Sequence, residues 1–110
     1  MVSTIIEGKT AIINIEKNII SENVDILEEK LNYIKEAGIL NFVFDFHNIE
    51  YICSSALGLI ASALRVSGEN GGKVYFCSLS NKLTSVFEAT RFLTIVDTAK
   101  DVDEALNNIK

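Results

Sequence analysis

The chain has 110 residues, 48% of them hydrophobic and 23% charged. That balance fits one packed globule and excludes a collagen-like repeat, a disordered chain or a two-domain enzyme. Ten basic residues against fifteen acidic ones leave a formal charge of −5, which argues against a phosphate-binding surface and therefore against direct DNA binding.

The first residues divide into two isoleucine-rich runs, Thr4 to Ile6 and Ala11 to Ile15, around Glu7-Gly8-Lys9-Thr10. Glycine there supplies the positive φ of a tight turn, so the expectation is an antiparallel hairpin. From Glu22 to Ala37, Val24, Leu27, Leu31 and Ile34 recur at helical spacing, with Ser21 or Asn23 as cap and Gly38 past the end. Phe42 to Phe46 is apolar without alternation, the pattern of a central strand covered on both faces. Ser54 to Glu69 reads as an apolar helix ended by Asn70-Gly71-Gly72, and Lys73 to Cys77 as the next strand, reached by a right-handed crossover. Leu83, Val86 and Phe87 continue at helical period behind a Ser80-Asn81 cap, followed by a short strand near Ile95 and Val96. A last helix starts at Asp101 or Val102, where Asp101 and Glu104 have capping-box spacing. The order ββαβαβαβα predicts a single α/β domain over residues 1–110, a mixed sheet with an N-terminal hairpin and about four helices.

Cys53 and Cys77 are too few for a disulfide framework and have no CxxC or metal-ligand spacing, which points to reduced thiols, a cytoplasmic protein and no metal. The N-terminus MVSTIIEGKT lacks the basic start and apolar core of an export signal. Ile52 to Leu64 is shorter than the roughly 20 residues of a membrane span, so neither export nor membrane insertion is expected. No glycine-rich phosphate cradle occurs, and no cofactor is expected. Asp45, His47 and Ser55 invite a hydrolase reading, but the order is wrong for an α/β-hydrolase and the serine lacks its GxSxG elbow. His47 is better read as a polar residue in the loop leaving a central strand, and paired acids such as Glu28-Glu29 as a solvated face.

The informative segment is Tyr51 to Gly58, where two hydroxyls, Ser54 and Ser55, meet the start of a helix. One of them would serve simply as an N-cap; alternatively, the unpaired amides and dipole of the helix end suit an anion carried on a serine, as in phosphoserine. With Leu57, Ile60, Ala61 and Leu64 toward the sheet, Ala56, Leu59, Ala63 and Val66 fall on the outer face with almost no charge, an arrangement suited to a charge-gated protein interface.

With its flanks, this segment, FVFDFHNIEYICSSALGLIASALR from Phe42 to Arg65, resembles the STAS domain family, the anti-sigma factor antagonists of bacterial partner switching. Asp45 matches the family's strand aspartate, Ser54 and Ser55 its serine pair, and Leu57-Gly58 its Leu-Gly, and the likeness runs through essentially the whole chain. The resemblance implies a non-enzymatic switch. Its unmodified form binds an anti-sigma factor with serine kinase activity and frees a sigma factor. Phosphorylation of Ser55, less so Ser54, ends the binding, and a PP2C-like phosphatase restores it. Cys53, Ser54, Ser55, Ala56, Leu59, Ala63 and Val66 are the expected partner-binding residues. The sequence departs from the family pattern at Cys53, in place of an aspartate, at Ala56, in place of a glycine, and at Lys17-Asn18-Ile19-Ile20, in place of Gly-Glu-Leu-Asp. Two alternatives carry weight beside the switch: a constitutive, unphosphorylated interaction scaffold, and a sensor using the Cys53 thiol at the helix end.

Overall fold

The computed structural model describes residues 1–109. Strands β1 (Val2–Glu7) and β2 (Thr10–Ile15) form the antiparallel hairpin, with Gly8 at φ +62° in the first of its two loop positions. Then follow α1 (Val24–Glu36), β3 (Asn41–Asp45), α2 (Ser54–Glu69), β4 (Val74–Cys77), α3 (Asn81–Ala89), a 3₁₀ turn over Phe92–Thr94, β5 (Asp97–Ala99) and α4 (Val102–Ile109). The strands lie side by side in chain order, β1-β2-β3-β4-β5, parallel except for the first pair. The mixed α/β architecture and its element order are those expected from the sequence.

Alternation along the strands divides the interior in two. Ile13, Phe42, Phe44 and Phe76 face one side with Leu31 of α1, Ile60 of α2 and Phe87 of α3, while Ile12, Val43, Tyr75 and Cys77 face the other with Ala105 of α4. Three consecutive crossovers, each to the adjacent strand, put α1, α2 and α3 on the same face, as connections of one hand must when strand order never reverses. β3 is central, as its unbroken apolar run predicts, and Phe44 stacks on Phe42 and Phe46 at 6.2 and 6.1 Å.

The last strand differs from expectation. Phe92 turns inward to Phe87 and Phe76, at centroid distances of 5.3 and 6.4 Å, so the chain winds through a 3₁₀ turn before it can extend. Ile95 consequently stands 70% exposed, Val96 is buried, and pairing begins only at Asp97. The helix caps also sharpen. Ser80 Oγ accepts from Leu83 N (3.1 Å) and donates to Ile49 O (2.7 Å). Asp101 Oδ1 accepts from Glu104 N (2.9 Å), while the Glu104 carboxylate reaches back to Lys100 N (3.2 Å). Asn23 stands at the N-cap of α1, yet its side chain turns to the Asn18–Ile20 segment. No described helix is long and apolar enough to cross a membrane.

Candidate functional site

The serine pair lies where the loop from the central strand enters α2. Asn18 shapes that loop: its Oδ1 accepts from both Glu50 N (3.0 Å) and Tyr51 N (3.2 Å). Asn18 is itself held by Asn23, whose Nδ2 donates to Asn18 O (3.1 Å) while its Oδ1 accepts from Ile20 N (2.8 Å). A one-residue parallel bridge between Ile19 and Ile52 completes the clamp, with Ile19 N on Tyr51 O (3.1 Å) and Cys53 N on Ile19 O (2.9 Å). Asn18 escapes a motif search because its role is backbone capping across 32 residues of sequence; the polar residue beside Ile19-Ile20 was its only trace.

Neither serine caps α2. Cys53 occupies the N-cap with extended backbone (φ −76°, ψ 164°) and makes no side-chain cap bond, which places Ser54 and Ser55 in the first helical turn, both exposed. Their amides have no carbonyl one turn back to bind, so the helix end presents free donors and a positive dipole beside two hydroxyls. The Cys53 thiol and the Ser55 hydroxyl are 3.3 Å apart. Partial burial acts to raise the thiol, but the Ser55 hydroxyl and the nearby amide dipoles of Ala56, Cys53 and Ser55 outweigh it, and Cys53 ionises below its ordinary value. Beside the serines, Ile20 (41% exposed) and Tyr51 (53% exposed) offer apolar surface that the helix pattern alone did not single out.

The helix is rotated from the expected phase. Ala56 and Ala63, expected on the outer face, are fully buried, and Ala61, expected inward, is exposed. Leu59 and Val66 are half-buried, as is Leu57, and Ile60 and Leu64 face the core as expected. α1 runs alongside and is tied to α2 by Lys35 Nζ on Ser62 Oγ (3.1 Å), and small side chains on the buried side of a helix allow such close packing.

Asp45, His47 and Ser55 do not assemble. The Asp45 carboxylate, on the α4 side of the sheet, accepts from His47 N (3.1 Å) and lies 3.4 Å from His47 Nε2. The other contact of that ring nitrogen is Asn14 Oδ1 (3.2 Å). Ser55 belongs to the helix on the opposite face and pairs with Cys53. His47 is exposed at φ +50°, a loop residue as expected. No cluster of three metal-ligating side chains occurs among the described residues.

A family model described as the STAS domain matches residues 2–105. The anti-sigma-B factor antagonist of Staphylococcus aureus is 28% identical over 64 residues; the match spans 58% of this chain and 59% of that protein. The crystal structure of a candidate anti-sigma factor antagonist from Thermotoga maritima superposes with a TM-score of 0.87 at 21% identity, covering 98% of this chain and 93% of that one. The Bacillus cell fate determinant SpoIIAA, in its phosphorylated form, superposes with a TM-score of 0.79 at 16% identity over the full length of both chains, and its unphosphorylated form with 0.77 at 14%, covering 98% of this chain and 96% of that one. These likenesses establish a shared fold.

Proposed function

The chain belongs to the STAS domain family, and from that premise we propose that it is an anti-sigma factor antagonist, a binding protein and not an enzyme, switched by phosphorylation of Ser55. The observation that carries the proposal is the position of Ser55: solvent-exposed, in the first turn of α2, beside the exposed Tyr51 and Ile20. The unmodified site offers a partner a small apolar surface with two neutral hydroxyls. A phosphate on Ser55 would add about −1.5 to −2 charges there. The free domain tolerates that charge, because unpaired amides and the helix dipole favour an anion at this end by about 0.3–1 kcal/mol. A docked partner must instead desolvate the charge, so association is opposed while the fold survives.

The partner is an anti-sigma factor with serine kinase activity, and a PP2C-like phosphatase regenerates the binder. The docking face comprises Cys53, Ser54, Ser55 and the outward parts of Leu59 and Val66, extended by Ile20 and Tyr51; Ala56 and Ala63 support it from beneath. The missing aspartate at Cys53 removes a carboxylate from this face but leaves the loop's shape to the Asn18 clamp. Incubation with the host's anti-sigma kinase and ATP should add one phosphate, located at Ser55 by mass spectrometry, and Ser55→Ala should abolish it. Undiminished labelling of Ser55→Ala would remove Ser55 from its role.

One observation favours a second reading of the same helix end. The Cys53 thiol lies 3.3 Å from the Ser55 hydroxyl and ionises below its ordinary value, which suits a reactive thiol. Alkylation faster in the native protein than in the unfolded chain supports a sensing role; a rate no faster discards it.

A further inference from the structure

Along the C-terminal half of α2 runs a groove of about 640 Å³, bounded on its other side by the 3₁₀ turn and the start of β5. That size lies within the roughly 300–1,000 Å³ of small-molecule sites. Its apolar lining comes from Leu64, Val74, Phe92 and the 70%-exposed Ile95. The chain has two arginines, and both, Arg65 and Arg91, line this groove together with Lys73. None of the three makes an ion pair with a carboxylate among the described residues, and Asp97 is the one acidic residue in the lining. In a protein of net charge −5, this is a local excess of positive charge over an apolar floor.

Arg91 adds a second observation. It stands two residues past Ala89, the end of α3, with φ +65°, a left-handed position where glycine is the ordinary occupant and another residue is strained. An arginine in that strained position lines the groove, and its guanidinium is a planar donor fork matched to carboxylate and phosphate oxygens. The opposite wall is open: Gly68 lines the groove, and a Cβ built on it meets nothing within 4 Å.

We propose that this groove binds a small organic anion, an aromatic or aliphatic body carrying a carboxylate or phosphate head, with the body on Leu64, Phe92 and Ile95 and the head on Arg65, Lys73 and Arg91. Gly68 lies 13 positions beyond Ser55 on α2, about 20 Å at helical rise, so the ligand leaves the serine face open.

The test is an amide NMR titration of the full chain with 4-phenylbutyrate and with phenyl phosphate, set against 4-phenylbutyramide and inorganic phosphate. At least one aromatic anion should give saturable shifts centred on Gly68, Gly72, Thr94 and Ile95, while the neutral amide and inorganic phosphate bind at least tenfold more weakly. Arg91→Gly relieves the backbone and removes the fork, and Gly68→Leu fills the groove from an open helix position. Both should stay folded and weaken the aromatic anion at least tenfold. No saturable shift with either anion up to millimolar concentration, shifts centred elsewhere, or affinities unchanged in both variants overturn the proposal.

Discussion

At the residue scale the site is governed by one substitution in an N-cap. Cys53 holds the extended N-cap backbone but its side chain makes no cap hydrogen bond, so the Ser54 and Ser55 amides at the start of α2 go without a capping acceptor. An aspartate has the geometry to accept from them. Cys53→Asp is expected to stabilise the protein by about 0.5–2 kcal/mol, read as a higher urea midpoint at unchanged slope; an unchanged midpoint would show that the helix end is satisfied otherwise. The second cysteine predicts a pH effect of opposite character. Cys77 is fully buried in β4, and desolvation, with the charges of Asp45, Asp101 and Glu104, pushes its thiol from 9.0 up to about 12. Between these values the unfolded chain has lost a proton that the folded one keeps, so stability falls as pH rises from about 9 toward 12. In Cys77→Ala the fall over that window should be shallower, measured by denaturant titration at stepped pH; an identical slope would place the titration elsewhere. The serine pair was legible in the sequence because two hydroxyls at a helix start are conspicuous. The helix starts at Ser54 as expected, which leaves the cap position to a cysteine with no side-chain cap bond, where the sequence suggests one of the serines as cap.

At the element scale α2 carries most of the account, and two glycines at and just past its C-terminal end differ in tolerance. Gly68 faces open space, whereas a Cβ on Gly72 would run into the Leu40 carbonyl and the Ser67 hydroxyl that bonds it. Gly68→Ala should therefore gain about 0.5–1 kcal/mol from helix propensity, and Gly72→Ala should lose about 1–3 kcal/mol to a clash the backbone cannot yield to. Thermal midpoints moving in the same direction for both variants would contradict this packing. The phase of α2 was the main feature the sequence concealed. Alanine is as apolar as a core residue and as small as an interface one, and with Arg65 and Glu69 as the only charges, nothing marked Ala56 and Ala63 as inner and Ala61 as outer. By contrast α1, with acids and lysines between Leu27, Leu31 and Ile34, declared its buried face directly. The β5 strand was misplaced for a tertiary reason: Ile95 and Val96 have strand character, but Phe92 is drawn into the aromatic cluster first.

At the scale of the whole molecule, strand order decides where a site can lie. In an open parallel sheet a ligand crevice forms where the order reverses; here it never does, and the two proposed surfaces lie instead at opposite ends of α2, one with the serines and the other with Arg65 and, from the segment after α3, Arg91. The hairpin, central strand and alternating helices that build this arrangement were readable from periodicity and turn residues alone. The central claim, that phosphate on Ser55 switches partner binding without unfolding the domain, is tested most directly by calorimetric titration of the host's anti-sigma kinase with two forms of the chain, unmodified and Ser55-phosphorylated. The account predicts that the phosphorylated form binds at least tenfold more weakly while its circular dichroism spectrum and thermal midpoint stay within error of, or above, those of the unmodified protein. Equal affinities of the two forms, or a loss of binding accompanied by a loss of structure, would contradict it.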